Sequence, residues 1–107
     1  MKTGDIILIP FPFTDQSGSK VRPCVIVFTE LEDIVACFIS SQLFVPNTFT
    51  VQLSPNALNN LRTSSVVVVS KLGTFHQSIV QGKLGAVSNE EFQSIKMEII
   101  KMLNTYL

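Results

Sequence analysis

Apolar residues in this chain fall into short runs separated by polar, proline-containing or glycine-containing breaks, and over roughly the first seventy positions these runs have strand length. Residues 6–9 are Ile-Ile-Leu-Ile, opened by Gly4-Asp5 and stopped by Pro10. Residues 21–29 predict a second strand, with Pro23 near its start, where a missing N–H is tolerated. Residues 33–42 predict a third, and Glu30-Leu31-Glu32-Asp33 between them suits a short hairpin. A weakly alternating fourth segment covers 49–53, and Ser65 followed by valines at 66–69 is the plainest β-branched run. Gly82 and Gly85 bracket Lys83-Leu84 and predict a tight strand or turn.

Two segments carry helix signals instead. Ser54-Pro55 places an N-cap before a proline at the first helical position and predicts a short helix over 54–61. Ser88-Asn89-Glu90-Glu91 forms a capping box, in which a serine hydroxyl and a glutamate carboxylate exchange bonds with each other's backbone amides. Phe92, Ile95, Ile99, Met102, Leu103 and Tyr106 follow at three-and-four spacing, a stripe read as core packing. Several strand runs are apolar on both faces. Such runs require a closed barrel, a covering helix or a subunit interface, and all three are expected here. The predicted architecture is mainly β with a C-terminal α-helix, in a single domain over 1–107.

Composition narrows the classes. With 107 residues, 46% hydrophobic and 15% charged, the chain has the material for one core and is not disordered. Eight basic residues balance eight acidic ones, which argues against a broad polyanion-coating surface but allows a small local basic site. Cys24 and Cys37 lie in separate apolar runs without metal-ligand spacing, and read as buried free thiols of a cytosolic protein. No metal or other cofactor is expected. The polar start and the short apolar run ending at Pro10 predict neither a signal peptide nor a membrane span.

The connection over residues 10–23 is the strongest functional signal. It alternates Pro10-Phe11-Pro12-Phe13, turns polar through Thr14-Asp15-Gln16-Ser17-Gly18-Ser19, and ends Lys20-Val21-Arg22-Pro23. Long irregular loops in compact domains are often functional. Pro23 holds Arg22 in an extended backbone conformation. Arg22 therefore reads either as a strand-end arginine paired with Asp15 or Asp33, or as a fixed guanidinium able to grip phosphate bidentately.

The opening over residues 4–15 and the Gly18-Ser19-Lys20-Val21-Arg22-Pro23 segment resemble the start of the PemK/MazF toxins of bacterial toxin–antitoxin pairs. The resemblance continues in order through Cys37-Phe38-Ile39-Ser40-Ser41-Gln42, Ser65-Val66-Val67, Lys71-Leu72-Gly73-Thr74 and Lys83-Leu84-Gly85. It implies an SH3-like β-barrel with a C-terminal helix, a homodimer, and a cytoplasmic, metal-independent endoribonuclease. Such an enzyme cleaves single-stranded RNA by attack of the ribose 2′-hydroxyl on the adjacent phosphate. The resemblance also implies a cognate antitoxin that lies across the site, and DNA binding together with that antitoxin.

Carried over residue by residue, Arg22 matches the family's Arg-Pro arginine and Ser40 its catalytic-strand threonine or serine. Gln42 becomes a candidate base reader beside Ser41, and Lys20 a phosphate-steering cation. Phe13 is either a base-stacking ring or a packed ring at the barrel rim. Two departures stand out. Where many members carry Arg-x-Asp, this chain has Val68-Val69-Ser70, and its single histidine, His76, stands where an acidic residue is common. His76 reads as a surface turn residue or as a replacement base, its ordinary pKa of about 6.5 suiting proton transfer near neutrality. The lost Arg-x-Asp motivates an alternative, a catalytically weak binding module of the same fold. A gyrase poison of the related CcdB kind is disfavoured, because the chain has no tryptophan and ends Asn104-Thr105-Tyr106-Leu107.

Overall fold

The computed structural model describes residues 1–11, excepting the Phe11 side chain, and 20–105. Six strands, β1 (Asp5–Phe11), β2 (Lys20–Glu30), β3 (Asp33–Ser40), β4 (Thr50–Leu53), β5 (Ser65–His76) and β6 (Gly82–Ala86), precede one helix, α1 (Asn89–Asn104). They form a single antiparallel sheet in the order β4-β5-β3-β2-β1-β6. β2 and β3 meet in the expected hairpin, with Glu30 opposite Asp33 and Leu31 in the left-handed region at φ 56°.

Strand lengths differ from expectation for reasons visible in the ladders. β1 runs through Pro10, because β6 pairs only with Asp5–Leu8 and no ladder on that side needs the proline N–H. Pro23 is tolerated in the same way, since the β2–β3 ladder stops at Cys24 opposite Phe38. β3 ends at Ser40, whose hydroxyl accepts the Gln42 amide at 3.1 Å and turns the chain. β5 continues well past Val69 to His76. It does so through a bulge: Phe38 pairs with Val68 but Cys37 pairs with Leu72, which leaves residues 69–71 looped out of that ladder.

Residues 54–61 do not form the expected helix. Asn56 Oδ1 accepts from the amides of Leu58 and Asn59, while Asn59 Oδ1 accepts from those of Asn56 and Leu61. These side chains satisfy amides that would otherwise enter helical bonds, and Asn60 then turns left-handed at φ 55°. The resulting turn closes the barrel. The Ala86 amide donates to Leu58 O at 3.0 Å and Asn60 Nδ2 donates to Leu84 O at 2.8 Å, so the chain leaving edge strand β4 is stitched to edge strand β6. Gly85 permits this approach, since a Cβ there would sit 2.4 Å from Leu58 O.

The doubly apolar strands feed two clusters. Ile6, Val25, Ile39, Val67 and Val69 pack with Ile95 of α1 on one face, and Ile7, Ile9, Cys24, Ile26, Ile34 and Ala36 pack together on the other. The helix opens on the expected capping box, with bonds of 3.1 and 2.8 Å between Ser88 and Glu91. Phe92, Ile99 and Met102 join Ile95 in the core. Leu103 does not, being 73% exposed, and Tyr106 lies outside the described residues. Both cysteines are buried free thiols. No described helix is long and apolar enough to cross a membrane.

Candidate active site

Strand register assembles the site. Carrying the Cys24–Phe38 pairing two residues further sets Arg22 opposite Ser40, on the sheet face turned away from α1. Both residues line a cavity of about 590 Å³, together with Ser41, Gln42 and Val68. Asp33 sits at the far end of β3, opposite Glu30 and His76, so it does not pair with Arg22. Asp15 and Phe13 lie outside the described residues.

Ser40 is almost fully buried, and its hydroxyl accepts the Gln42 amide. A hydroxyl used once as an acceptor keeps its proton and a second lone pair, so Ser40 can still donate toward the cavity. Ser41 and Gln42 are exposed on the turn that this bond shapes. Lys20 starts β2, exposed, two residues before Arg22 and on the same face by strand alternation, but it does not line the cavity.

Two further cations enter the cavity that the motif reading did not assign. Lys71, at the end of the β5 bulge, lies over the Phe38 ring with Nζ 5.7 Å from its centroid. Arg62 follows the Asn59-organised turn, is exposed and also lines the cavity. Arg22 and Arg62 are the only arginines in the chain, and both line this cavity. None of its described lining residues is acidic. Among the described residues the acidic groups lie elsewhere, with Glu30, Glu32 and Asp33 at the distal hairpin, Glu90, Glu91 and Glu98 on α1, and Asp5 paired with Lys83. In a cleft with low-dielectric walls, three like charges raise the local concentration of an anionic ligand. The scarcity of arginine was the sequence signal for Arg62; its convergence with Arg22 needed the fold.

His76 is not gathered into this cavity. It ends β5 opposite Asp33, seven residues along β3 from Ser40, on the order of 20 Å away at strand rise. Its Nδ1 accepts the Ser78 amide at 3.1 Å, which places the proton on Nε2, where it donates to Glu32 Oε2 at 2.9 Å. The residue thus caps a single 3-10 turn, Gln77–Ile79. The Gly73-Thr74-Phe75-His76 segment is strand and not turn. Where the family's Arg-x-Asp was missed, Val68 is buried against the cavity floor and Ser70 accepts from Asn47 Nδ2 at 3.3 Å. The Gly4-Asp5 opening is structural. The Gly4 amide donates to Ile26 O at 2.8 Å, and buried Asp5 pairs with Lys83 at 3.2 Å while accepting the Lys2 amide at 3.0 Å.

A small curled sheet with a cationic cleft at one end of its central strands is the class of protein this geometry defines. The family model described as "PemK-like, MazF-like toxin of type II toxin-antitoxin system" matches residues 2–103, and the chain belongs to that family. A search of curated protein sequences found no match. Among solved structures, MazF from Deinococcus radiodurans is similar at TM-score 0.75 and 17% identity, over 98% of this chain and 97% of that one. Mycobacterium tuberculosis toxin MazF-mt6 is similar at TM-score 0.71 and 16% identity, covering 94% and 99% respectively. A mycobacterial endoribonuclease solved in complex with its cognate antitoxin gives TM-score 0.73 and 18% identity, covering 100% and 98%.

Proposed function

We propose that this chain is a toxin domain over 1–107 that cleaves single-stranded RNA without a metal, by attack of a ribose 2′-hydroxyl on the neighbouring phosphate. The observation that carries the reading is the facing pair of Arg22 and Ser40 in a cavity whose described lining has three cations and no carboxylate. In-line attack builds negative charge on the phosphate oxygens, and a preorganised guanidinium lowers that barrier most in a site shielded from water. Pro23 and the β2 backbone hold Arg22 extended, and its guanidinium presents a planar fork to phosphate. Ser40 donates its hydroxyl proton to a non-bridging oxygen or orients the 2′-hydroxyl. Gln42 and Ser41 present amide and hydroxyl groups to an unstacked base. Lys20 acts from the start of β2 as a phosphate-steering cation, and Phe13 acts as a stacking ring.

The protein works in the cytoplasm as a homodimer, and a cognate antitoxin segment occupies the same groove. The toxin–antitoxin pair binds DNA. Purified protein incubated with a long single-stranded RNA in EDTA, beside Arg22→Ala and Ser40→Ala, tests the nuclease. Discrete cuts with 5′-hydroxyl ends that vanish in Arg22→Ala are expected. Absence of cuts across several RNAs by folded protein favours a second reading, a binding module of the same fold. The buried Val68 in place of a family arginine is the observation behind that alternative.

A further inference from the structure

We propose that Phe44 is a base-stacking residue of this site, its ring face receiving one unpaired base of the bound RNA strand beside the cavity. The inference rests on the RNA-cleaving reading above and adds to it a residue with no part in the phosphate chemistry. Three observations carry it.

First, chain geometry alone puts Phe44 beside the cavity. Gln42 and Val45 both line it. Consecutive Cα atoms lie about 3.8 Å apart, so the Phe44 backbone runs along the cavity rim. Second, the segment carrying Phe44 is tied down on both sides, yet its apolar side chains are left out of the core. The Gln42 amide donates to Ser40 Oγ at 3.1 Å, and Asn47 Nδ2 donates to Ser70 Oγ at 3.3 Å. Two residues on, the Phe49 carbonyl accepts the Val69 amide at 3.0 Å. Pro46 biases Val45 toward extended backbone. Neither buried cluster includes Leu43, Phe44 or Val45. Phe44 is 98% exposed, the most exposed aromatic side chain among the described residues. A phenylalanine left in water forgoes the stabilisation that burial would bring, and a base laid on its face recovers it. Third, charge selects the occupant. The described lining of the cavity holds Arg22, Arg62 and Lys71 and no carboxylate. A cationic groove with an aromatic ring beside it is how proteins hold single strands, the cations following the backbone and the ring taking a base. A peptide would use the apolar surface of Phe44 but would not need its π face.

The test uses a fluorescein-labelled, mixed-sequence 2′-O-methyl oligoribonucleotide of about 12 nucleotides, a length within the span of single-strand sites. It has no hydroxyl to attack, so it reports binding without cleavage. Affinity is measured by anisotropy across a salt series for the wild type, Phe44→Ala, Phe44→Leu and Phe44→Trp. Leu31→Ala is the control, an equally exposed apolar residue at the tip of the β2–β3 hairpin. Phe44→Ala and Phe44→Leu are each expected to weaken binding roughly tenfold, and Phe44→Trp to retain it. Leu31→Ala binds as the wild type does. The slope of log affinity against log salt is the same in all five proteins, because no charge changes. Their thermal melts coincide, because the Phe44 ring touches almost nothing in the fold.

Wild-type affinity in Phe44→Ala overturns the proposal. Wild-type affinity in Phe44→Leu also overturns it, since plain apolar contact, of the kind a peptide segment makes, then suffices. A lower assembled mass for Phe44→Ala by light scattering overturns it too, by putting the ring in a contact between copies of the chain. In each case the nuclease reading survives if the wild type cleaves unmodified RNA. Weakened binding by both Phe44→Ala and Phe44→Leu, in a protein whose wild type never cleaves RNA, supports the stacking ring and sinks the nuclease reading. A wild type that binds no oligonucleotide overturns both.

Discussion

Replacing Gly85 with alanine adds a single methyl group at the point where the sheet's two edges are stitched together. The new Cβ would lie 2.4 Å from Leu58 O and 2.7 Å from both the carbonyl carbon and oxygen of Asn59. Ordinary contact begins near 3.4 Å, so the Leu58 carbonyl must retreat by 3.4 − 2.4 = 1.0 Å. Backbone atoms, not a flexible side chain, have to give. A retreat of that size stretches the 3.0 Å bond from the Ala86 amide beyond hydrogen-bond range and strains the 2.8 Å bond from Asn60 to Leu84 O. Losing one to two such bonds at about 1 kcal/mol each, with an overpacking cost of about 1–3 kcal/mol, gives a destabilisation of about 3 kcal/mol. That is a large share of a typical total of about 5–15 kcal/mol. Urea unfolding followed by circular dichroism measures it, and the midpoint should fall by about 2 M for an m-value near 1.5 kcal/mol/M. Gly82, on the same strand, supplies the control. Nothing lies within 4 Å of a Cβ there, so Gly82→Ala should be neutral or slightly stabilising through the unfolded chain's entropy. If Gly85→Ala moves the midpoint no more than Gly82→Ala, the stitched seam is not what holds the barrel closed.

Other consequences are equally open to measurement. Asn59→Ala removes the buried amide that serves the Asn56 amide, the Leu61 amide and Ser54 O, and should cost about 2–4 kcal/mol while loosening the Arg62 segment; a loss under 0.5 kcal/mol would show that water replaces it. Arg22→Lys keeps the charge but not the planar fork, so RNA cleavage should drop about 10²-fold without a change in melting temperature; near wild-type rates would mean that charge alone suffices. His76→Ala should leave cleavage unchanged and alter stability by less than about 1 kcal/mol, since its pair with Glu32 is half exposed; a cleavage defect would restore it as a candidate base. Burial pushes the Cys37 thiol up to about 12, and burial with the neighbouring Cys37 raises Cys24 further. Both thiols should resist iodoacetamide at pH 8 in the folded protein and react once urea unfolds it. Because the unfolded thiols ionise first, stability is intact below about pH 8.5 and falls as pH rises above it, by up to about 1.4 kcal/mol per thiol per pH unit; rapid alkylation of folded protein would contradict this.

The local signals legible in the sequence were those that depend on neighbouring residues. The capping box at Ser88 and Glu91, the hairpin at Glu30 to Asp33 and the valine strand all follow from spacing, and the structure has each of them. So does the doubly apolar character of the strands, which resolves into two buried clusters. Ser54-Pro55 misled because a cap-and-proline signal reads only the helix start. Asn56 and Asn59 then bind amides that a helix would have used, and the closing bonds come from β6, some 25 residues away along the chain.

What the sequence determined by itself was the fold class and, through the ordered motif series, the family, with Arg22 and Ser40 as separate candidate residues; that the two share a cavity came from the strand register. Periodicity, caps and β-branching are properties of adjacent positions and survive without tertiary contact. What only the tertiary structure decided was where the charges gather. Lys71 is separated from Arg22 by two strand pairings and a bulge, Arg62 comes from the segment between β4 and β5, and His76 is carried to the opposite end of the same strands. A neutral composition says nothing of such segregation, because net charge is a sum over the chain, whereas a binding site is made by whichever charges the register brings within a few ångströms of one cavity.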